Sequence, residues 1–250
     1  MNSPHALIPF IFNNLFRNKT LPASLLLLLL VITSLPVYSE ALVFTAAPRE
    51  SAAQGKKLYG PLTEFISKTL GKEVKYVNAG SWLRYQSHIK KLKYDFVLDG
   101  PHLASWRIKN IDHKPLIKLP GNLQFYILAR ANDKKTTKPE DLIYKRVCVI
   151  PPPNLTAMVL LRRLSDPVRE PFVVGVKGGM KKLVSELINN KCNGTVVRAD
   201  FYNNKLSAEM KSKVKIIYTS DELPNQVITA SADIRLALSS SVIRLEAVIT

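Results

Sequence analysis

Short apolar segments alternate with helical segments along this chain, and the alternation begins a second time near the middle. Strand-like runs at 42–46 and 94–98 are each followed by a helix-like segment. A polar, turn-rich stretch at 131–138 interrupts the pattern, and a strand at 146–150 restarts it. Strands that alternate with helices of this length form mainly parallel sheets covered on both faces. The sequence therefore predicts an α/β protein of two lobes with a cleft between them.

These composition shifts divide the chain into four parts. We expect a signal peptide at 1–39, a first lobe at 40–130, a second lobe at 131–226, and a segment at 227–250 that returns toward the first lobe and is short or truncated.

The first 39 residues have the pattern of a secretory signal. Arg17 and Lys19 precede a strongly apolar run at 21–35, and Val37 and Ser39 are small residues at the two positions that a signal peptidase reads. An uncleaved membrane anchor is the alternative, although the apolar run is shorter than a comfortable bilayer span. We expect the mature protein in a bacterial periplasm.

The two cysteines, Cys148 and Cys192, both lie far from the cleavage site. This position excludes a lipid-modified N-terminal cysteine. In an oxidising compartment the two could form one disulfide, and two separate buried thiols are the equal alternative.

The chain is strongly basic, with a formal net charge of +17, or +15 without residues 1–39. The lysines are spread evenly, without a long basic run or an aromatic pattern that would stack nucleic acid bases. We therefore expect no nucleic acid partner. A basic surface of this kind can still steer small anions toward the protein.

The segment Asp99-Gly100-Pro101-His102 joins an apolar strand directly to a helix. Gly100 or Asp99 can cap the helix, and Pro101 suits its first turn. A helix that opens at the carboxyl end of a strand directs N–H groups and a positive dipole end into a crevice, which suits an anion. The alternative is an ordinary strand-to-helix turn. A carboxylate at Asp99 would repel a fully ionised ligand unless it accepts a proton or a hydrogen bond from it.

Two further helix starts are candidates for the same role. In the first lobe Pro48 and Arg49 follow a strand, and we expect a helix to begin there and to be divided before Pro61. In the second lobe a proline run leads into Asn154-Leu155-Thr156, where Asn154 can cap and Thr156 can offer a hydroxyl. The alternatives are a surface arginine at Arg49 and simple helix capping at Asn154.

Enzyme signatures are scarce. Lys177-Gly178-Gly179 lacks the rest of a phosphate-cradling loop, and the histidines after the signal segment (His88, His102 and His113) have no metal-ligand spacing. We expect no catalytic residues, no metal and no cofactor.

Taken in order, several segments resemble the periplasmic phosphate/phosphite/phosphonate-binding proteins of ABC importers, which have the type II periplasmic-binding-protein fold. The likeness covers roughly 42–232. The matching pieces are Leu42 to Pro48, Gly60-Pro61-Leu62 to Gly71, Tyr94-Asp95 with Gly100-Pro101, Phe125 to Arg130, and Glu140-Asp141-Leu142 with Lys145-Arg146-Val147.

The resemblance implies a small oxyanion or organophosphorus ligand, captured for an ABC permease and held between closing lobes. It places ligand contacts after Pro48, around Gly100 to Leu103, and from Pro153 to Thr156. The chain departs from the family with Leu103 instead of an aromatic, with a proline-rich second-lobe loop, and with Val197 where an aspartate is usual, although Asp200 lies nearby. The alternatives are a sensor lobe that signals to a membrane partner, and an uncharacterised enzyme. We expect a monomer. The candidate ligand-binding residues are Pro48, Arg49, Asp99, Gly100, Pro101, His102, Asn154, Leu155, Thr156 and Asp200.

Overall fold

The computed structural model describes residues 40–232 and 234 and contains two five-stranded sheets. The first part of the described chain forms four of the five strands of the first sheet. These elements are β1 (Leu42–Ala46), α1 (Ala52–Leu70), β2 (Val74–Tyr76), α2 (Trp82–Lys90), β3 (Phe96–Asp99), α3 (Pro101–Asn110) and β4 (Lys114–Lys118).

The remaining elements form the second sheet and the connections between the two sheets. In chain order they are β5 (Asn122–Leu123), β6 (Phe125–Arg130), a 3-10 helix (Pro139–Leu142), β7 (Arg146–Val149), α4 (Leu155–Arg163), β8 (Phe172–Gly175), α5 (Gly179–Ile188), β9 (Gly194–Arg198), α6 (Ala199–Lys205), α7 (Ala208–Ser212), β10 (Val214–Thr219), β11 (Leu223–Pro224) and β12 (Val227–Ala230).

The two sheets have the same strand order and the same single reversed strand. The first sheet runs β2-β1-β3-β12-β4, and the second runs β8-β7-β9-β6-β10. In each sheet four strands point the same way, while β12 or β6 is antiparallel to both of its neighbours. The prediction of mainly parallel sheets flanked by helices is confirmed.

The chain passes from the first sheet to the second at β6 and returns to the first at β12, and these are the two reversed strands. The position of β6 differs from the lobe boundary predicted at residue 130. β6, at residues 125–130, was expected in the first lobe, but it pairs with β9 and β10 of the second sheet. Its side chains Phe125 and Ile127 pack in the core cluster that contains Val147 and Leu160. The local sequence of a strand indicates extended structure but not which sheet will bury its side chains.

A two-stranded ladder between β5 and β11 joins the two crossings. The Leu119 N–H donates to the Gln226 carbonyl at 2.8 Å, and the Asn225 side chain donates to the Pro120 carbonyl at 2.6 Å. The two chain segments between the sheets are therefore hydrogen-bonded to each other, as a paired hinge would be.

Helix α1 differs from its prediction at its start and at Pro61. The helix begins at Ala52 with Ser51 as N-cap, so Pro48 and Arg49 lie in the loop ahead of it. It also continues through Pro61 without a break. Proline removes one backbone hydrogen bond from a helix. The apolar face on both sides of Pro61 packs on the first sheet through Tyr59 and Leu62, among others, and this burial stabilises the uninterrupted helix.

A buried disulfide links strand β7 to the loop before β9. Cys148 of β7 and Cys192 form a disulfide, with Cα atoms 5.8 Å apart, in a buried cluster with Leu183.

Helix α6 was not expected and begins directly where β9 ends. None of the described helices is long and apolar enough to cross a membrane. The predicted signal peptide at 1–39 and most of the segment at 227–250 lie outside the described residues.

Candidate functional site

A cavity of about 290 Å³ lies between elements of the first sheet and elements of the second. The first lobe contributes the loop before α1 and the N-terminal ends of α2 and α3. The second lobe contributes the starts of α4 and α5 and the end of β9. The lining residues are Arg49, Trp82, Gly100, His102, Leu123, Phe125, Ile150, Pro153, Asn154, Leu155, Gly179, Met180, Arg198 and Gln226.

Gly100 lets the first residues of α3 approach the cavity closely. It is the N-cap of α3, with extended backbone angles, and Pro101 occupies the first turn. A Cβ atom built on Gly100 would lie 3.0 Å from Nδ1 and 2.9 Å from Cε1 of His102. Any side chain at position 100 would therefore displace the His102 ring.

The His102 ring reaches across the cavity to the second lobe. Its Nε2 lies 2.8 Å from the carbonyl oxygen of Pro153. A carbonyl only accepts, so Nε2 carries the proton. Burial lowers the pKa of His102, which favours the neutral ring. Nδ1 is buried without a hydrogen-bond partner in the described part of the chain.

The start of α4 faces the cavity from the second lobe. The Asn154 side chain accepts a hydrogen bond from the Thr156 N–H at 3.0 Å, so Asn154 is the N-cap. Thr156 is fully buried, and its hydroxyl accepts from the Ile150 N–H at 3.1 Å. Thr156 therefore holds the loop between β7 and α4 in shape, while Asn154 and Leu155 reach the cavity surface.

The charged side chains among the described lining residues are two arginines, Arg49 and Arg198. Arg49 is exposed in the loop before α1. Arg198, the last residue of β9, forms an ion pair with Asp200 at 3.2 Å, and its buried Nε has no described hydrogen-bond partner. A hydrogen bond from Asn204 and the charge of Arg198 keep the pKa of Asp200 below its usual value. Asp200 lines a neighbouring cavity and contacts this one only through Arg198.

Asp99 does not lie at the cavity, which corrects its predicted place beside the ligand. Its side chain is fully buried, and the Arg107 guanidinium binds it through two hydrogen bonds of 2.6 and 2.8 Å. The Tyr85 hydroxyl donates to the same carboxylate. With both oxygens held by buried donors, Asp99 fastens β3 to α2 and α3 beneath the helix start.

The buried network extends from Arg107 to strand β12. Arg107 Nε donates to the Thr229 hydroxyl oxygen at 3.1 Å, and that hydroxyl lies 3.1 Å from Nδ1 of His113. Because Thr229 Oγ1 accepts from Arg107, its own proton is free to bind His113 Nδ1. Burial lowers the pKa of His113 to about 4, and the nearby Arg107 charge acts in the same direction.

The structure thus brings Arg49, Gly100, His102, Asn154 and Leu155 to one cavity. Pro48 and Pro101 lie beside it in the chain without lining it, and Asp99, Thr156 and Asp200 lie behind it.

Sequence reasoning missed Trp82, Arg198 and the start of α5. A signal for α5 existed in Lys177-Gly178-Gly179, a glycine-led helix start after a strand, which does not match a phosphate loop. Helix α5 begins at Gly179, with Gly178 as N-cap at a φ of 109°. No group of three or more metal-ligating side chains occurs within residues 40–232.

Two sheets of this topology, joined by a paired hinge with a cavity between them, define the two-lobed solute-binding proteins. The chain belongs to the family of periplasmic substrate-binding proteins of phosphonate ABC transporters, because the family model matches residues 44–245. No curated protein sequence matches the chain.

Solved structures share the fold at low sequence identity. XAC2383 from Xanthomonas citri, bound to chloride ion, has a TM-score of 0.69 at 13% identity over 82% of each chain. PhnD1 from Prochlorococcus marinus, in complex with methylphosphonate, has a TM-score of 0.59 at 12% identity over 82% of this chain and 81% of that one. A binding protein component of an ABC phosphonate transporter (PA3383) from Pseudomonas aeruginosa has a TM-score of 0.54 at 15% identity, covering 80% and 72%.

Proposed function

We propose that this protein captures a small oxyanion, such as phosphate, phosphite or a phosphonate, between its two lobes and delivers it to an ABC permease. The observation that carries the proposal is the convergence on one cavity of helix starts from both lobes, at Gly100 and Asn154, with two arginines. Helix N-termini and guanidinium groups both stabilise negative charge, and here they act from opposite sides.

The order of the steps in ligand binding follows from which lobe supplies each contacting residue. The ligand first meets the start of α3 and Arg49 on the first lobe. Bending at the paired hinge then brings Asn154 and Arg198 over it, and the His102 contact with Pro153 closes the cleft. The net positive charge of the chain raises the rate at which anions arrive. No step in this cycle requires a covalent change in the ligand.

We place the protein in the periplasm, as a monomer freed from its signal peptide. The support is the family, together with the charged flank, apolar run and cleavage pattern of residues 1–39. A disulfide between Cys148 and Cys192 fits an oxidising compartment.

Isothermal titration calorimetry with phosphate, phosphite and methylphosphonate tests the proposal. We expect at least one to bind, and Arg198→Ala to weaken that binding by about tenfold or more, because a charge-assisted hydrogen bond is lost. The matched control is Arg169→Ala, an exposed arginine that does not line the cavity, which should leave affinity unchanged. Folded protein that binds none of the three anions would remove the proposal.

A further inference from the structure

The cavity offers more room than an inorganic oxyanion fills. A water molecule takes up about 30 Å³ in the liquid, and the cavity measures about 290 Å³. The cavity is open to solvent on one side, so this volume sets no limit on ligand size. It leaves room for a substituent on the phosphorus of a bound oxyanion.

The walls that would surround such a substituent are largely apolar. Trp82 at the start of α2 is held edge-on against Tyr85, with ring centroids 5.7 Å apart and an interplanar angle of 87°. Phe125 comes from the start of β6 and is 2% exposed, and Met180 comes from α5. Because these three side chains come from different elements of both lobes, they flank a group bound in the cavity from both sides. Apolar walls stabilise an apolar group by removing its surface from water.

The charged side chains that line the cavity are of one sign, although the carboxylates of Glu50 and Asp200 lie close to the two arginines in the chain. Arg49 and Arg198 are its charged side chains within the described residues, and both are cations. The nearest carboxylate along the chain from Arg198, Asp200, is engaged by Arg198 and Asn204 and faces another cavity. A substituent with a positive charge would lose its water here and meet two like charges, which costs free energy.

We infer that the site selects phosphonates or phosphate monoesters with an uncharged, apolar substituent, and discriminates against inorganic phosphate and against ammonium-bearing phosphonates. The inference rests on the proposed function and adds the class of substituent. The head group binds the helix starts and the arginines, and the substituent contacts Trp82, Phe125 and Met180.

A matched pair of ligands tests whether the site discriminates against a positively charged substituent. In n-propylphosphonate a methyl group stands where 2-aminoethylphosphonate has its ammonium, so the two differ in charge and little in size. At a pH where both phosphonate groups carry the same charge, calorimetry should give a Kd about tenfold or more lower for n-propylphosphonate. Inorganic phosphate should also bind more weakly than n-propylphosphonate.

The two tryptophans of the chain provide the matched variants. Trp82→Ala should remove most of the preference for n-propylphosphonate over phosphate, whereas Trp106→Ala, on the exposed face of α3, should keep it. Trp106→Phe leaves Trp82 as the single tryptophan, and its fluorescence should change when n-propylphosphonate binds to the otherwise intact protein. An unchanged emission on binding would overturn the contact with Trp82.

The outcomes separate this inference from the proposed function. If no oxyanion binds to the folded protein, both are wrong. If oxyanions bind but 2-aminoethylphosphonate or phosphate binds as tightly as n-propylphosphonate, the proposed function stands and the substituent rule is overturned.

Discussion

At the scale of single residues, the burial of Asp99 changes what its charge can do. A carboxylate at the end of β3, one residue before the helix start at which we propose that the anion binds, would oppose that ligand if it faced the cavity. Arg107, at 2.6 and 2.8 Å, neutralises it within the first lobe. Asp99 therefore acts on the site by fixing the position of α3, and it leaves the cavity to the arginines.

This arrangement predicts a stability effect at Asp99 rather than a change in ligand choice. Asp99→Asn leaves the Arg107 charge buried without its partner, which should lower the free energy of unfolding by about 3–5 kcal/mol. The double variant Asp99→Asn/Arg107→Met should recover part of that loss, since no unpaired charge remains. Urea denaturation measures both. A small loss in stability combined with altered ligand preference would instead place Asp99 at the ligand.

His113 predicts how stability depends on pH. Its pKa is about 4 in the folded protein and about 6.5 when unfolded, so between these values the unfolded chain binds more protons. Stability from this group is complete above pH 6.5 and is lost as the pH falls toward 4, by about 3 kcal/mol in all. His113→Asn keeps a polar group near Thr229 without titrating there, and its unfolding free energy should fall less over this range. A pH slope of the unfolding free energy that is unaltered by His113→Asn would contradict the prediction.

At the scale of elements, local sequence signals predicted where helices start better than they predicted which sheet a strand joins or which side chains pair. Gly100-Pro101 and Asn154 are recognisable because capping depends on a few neighbouring residues, and both starts lie where expected. The sheet that receives β6 depends on distant side chains, as does the continuity of α1 through Pro61. The same limit hid the pairing of Asp99 with Arg107, since helical spacing does not reveal which side chain turns inward.

The same rule holds for the residues that line the cavity. Among them the sequence singled out those at helix starts, namely Gly100, His102, Asn154 and Leu155, and their contact with a ligand stays a prediction. The sequence did not predict Trp82 or Arg198, whose patterns are those of an ordinary amphipathic helix and of a strand end. Only the placement of the two lobes brings these side chains to one cavity. The ladder between β5 and β11 joins the two chain segments that connect the lobes.

At the scale of the whole molecule, the His102–Pro153 hydrogen bond is a direct contact between the lobes, and it depends on the absence of a side chain at Gly100. Gly100→Ala should push the ring away and His102→Ala should remove it, so both should shift the lobes toward an open arrangement. Loss of one such hydrogen bond is worth about 1 kcal/mol, or several-fold in affinity for whichever anion binds. Small-angle X-ray scattering should show a larger radius of gyration for both variants, and calorimetry should show the weaker binding. Lys109→Ala, exposed near the far end of α3, is the control and should change neither. If Gly100→Ala and His102→Ala behave like Lys109→Ala, closure depends on the ligand and the hinge alone, and the His102 contact is a consequence of closure instead of one of its causes.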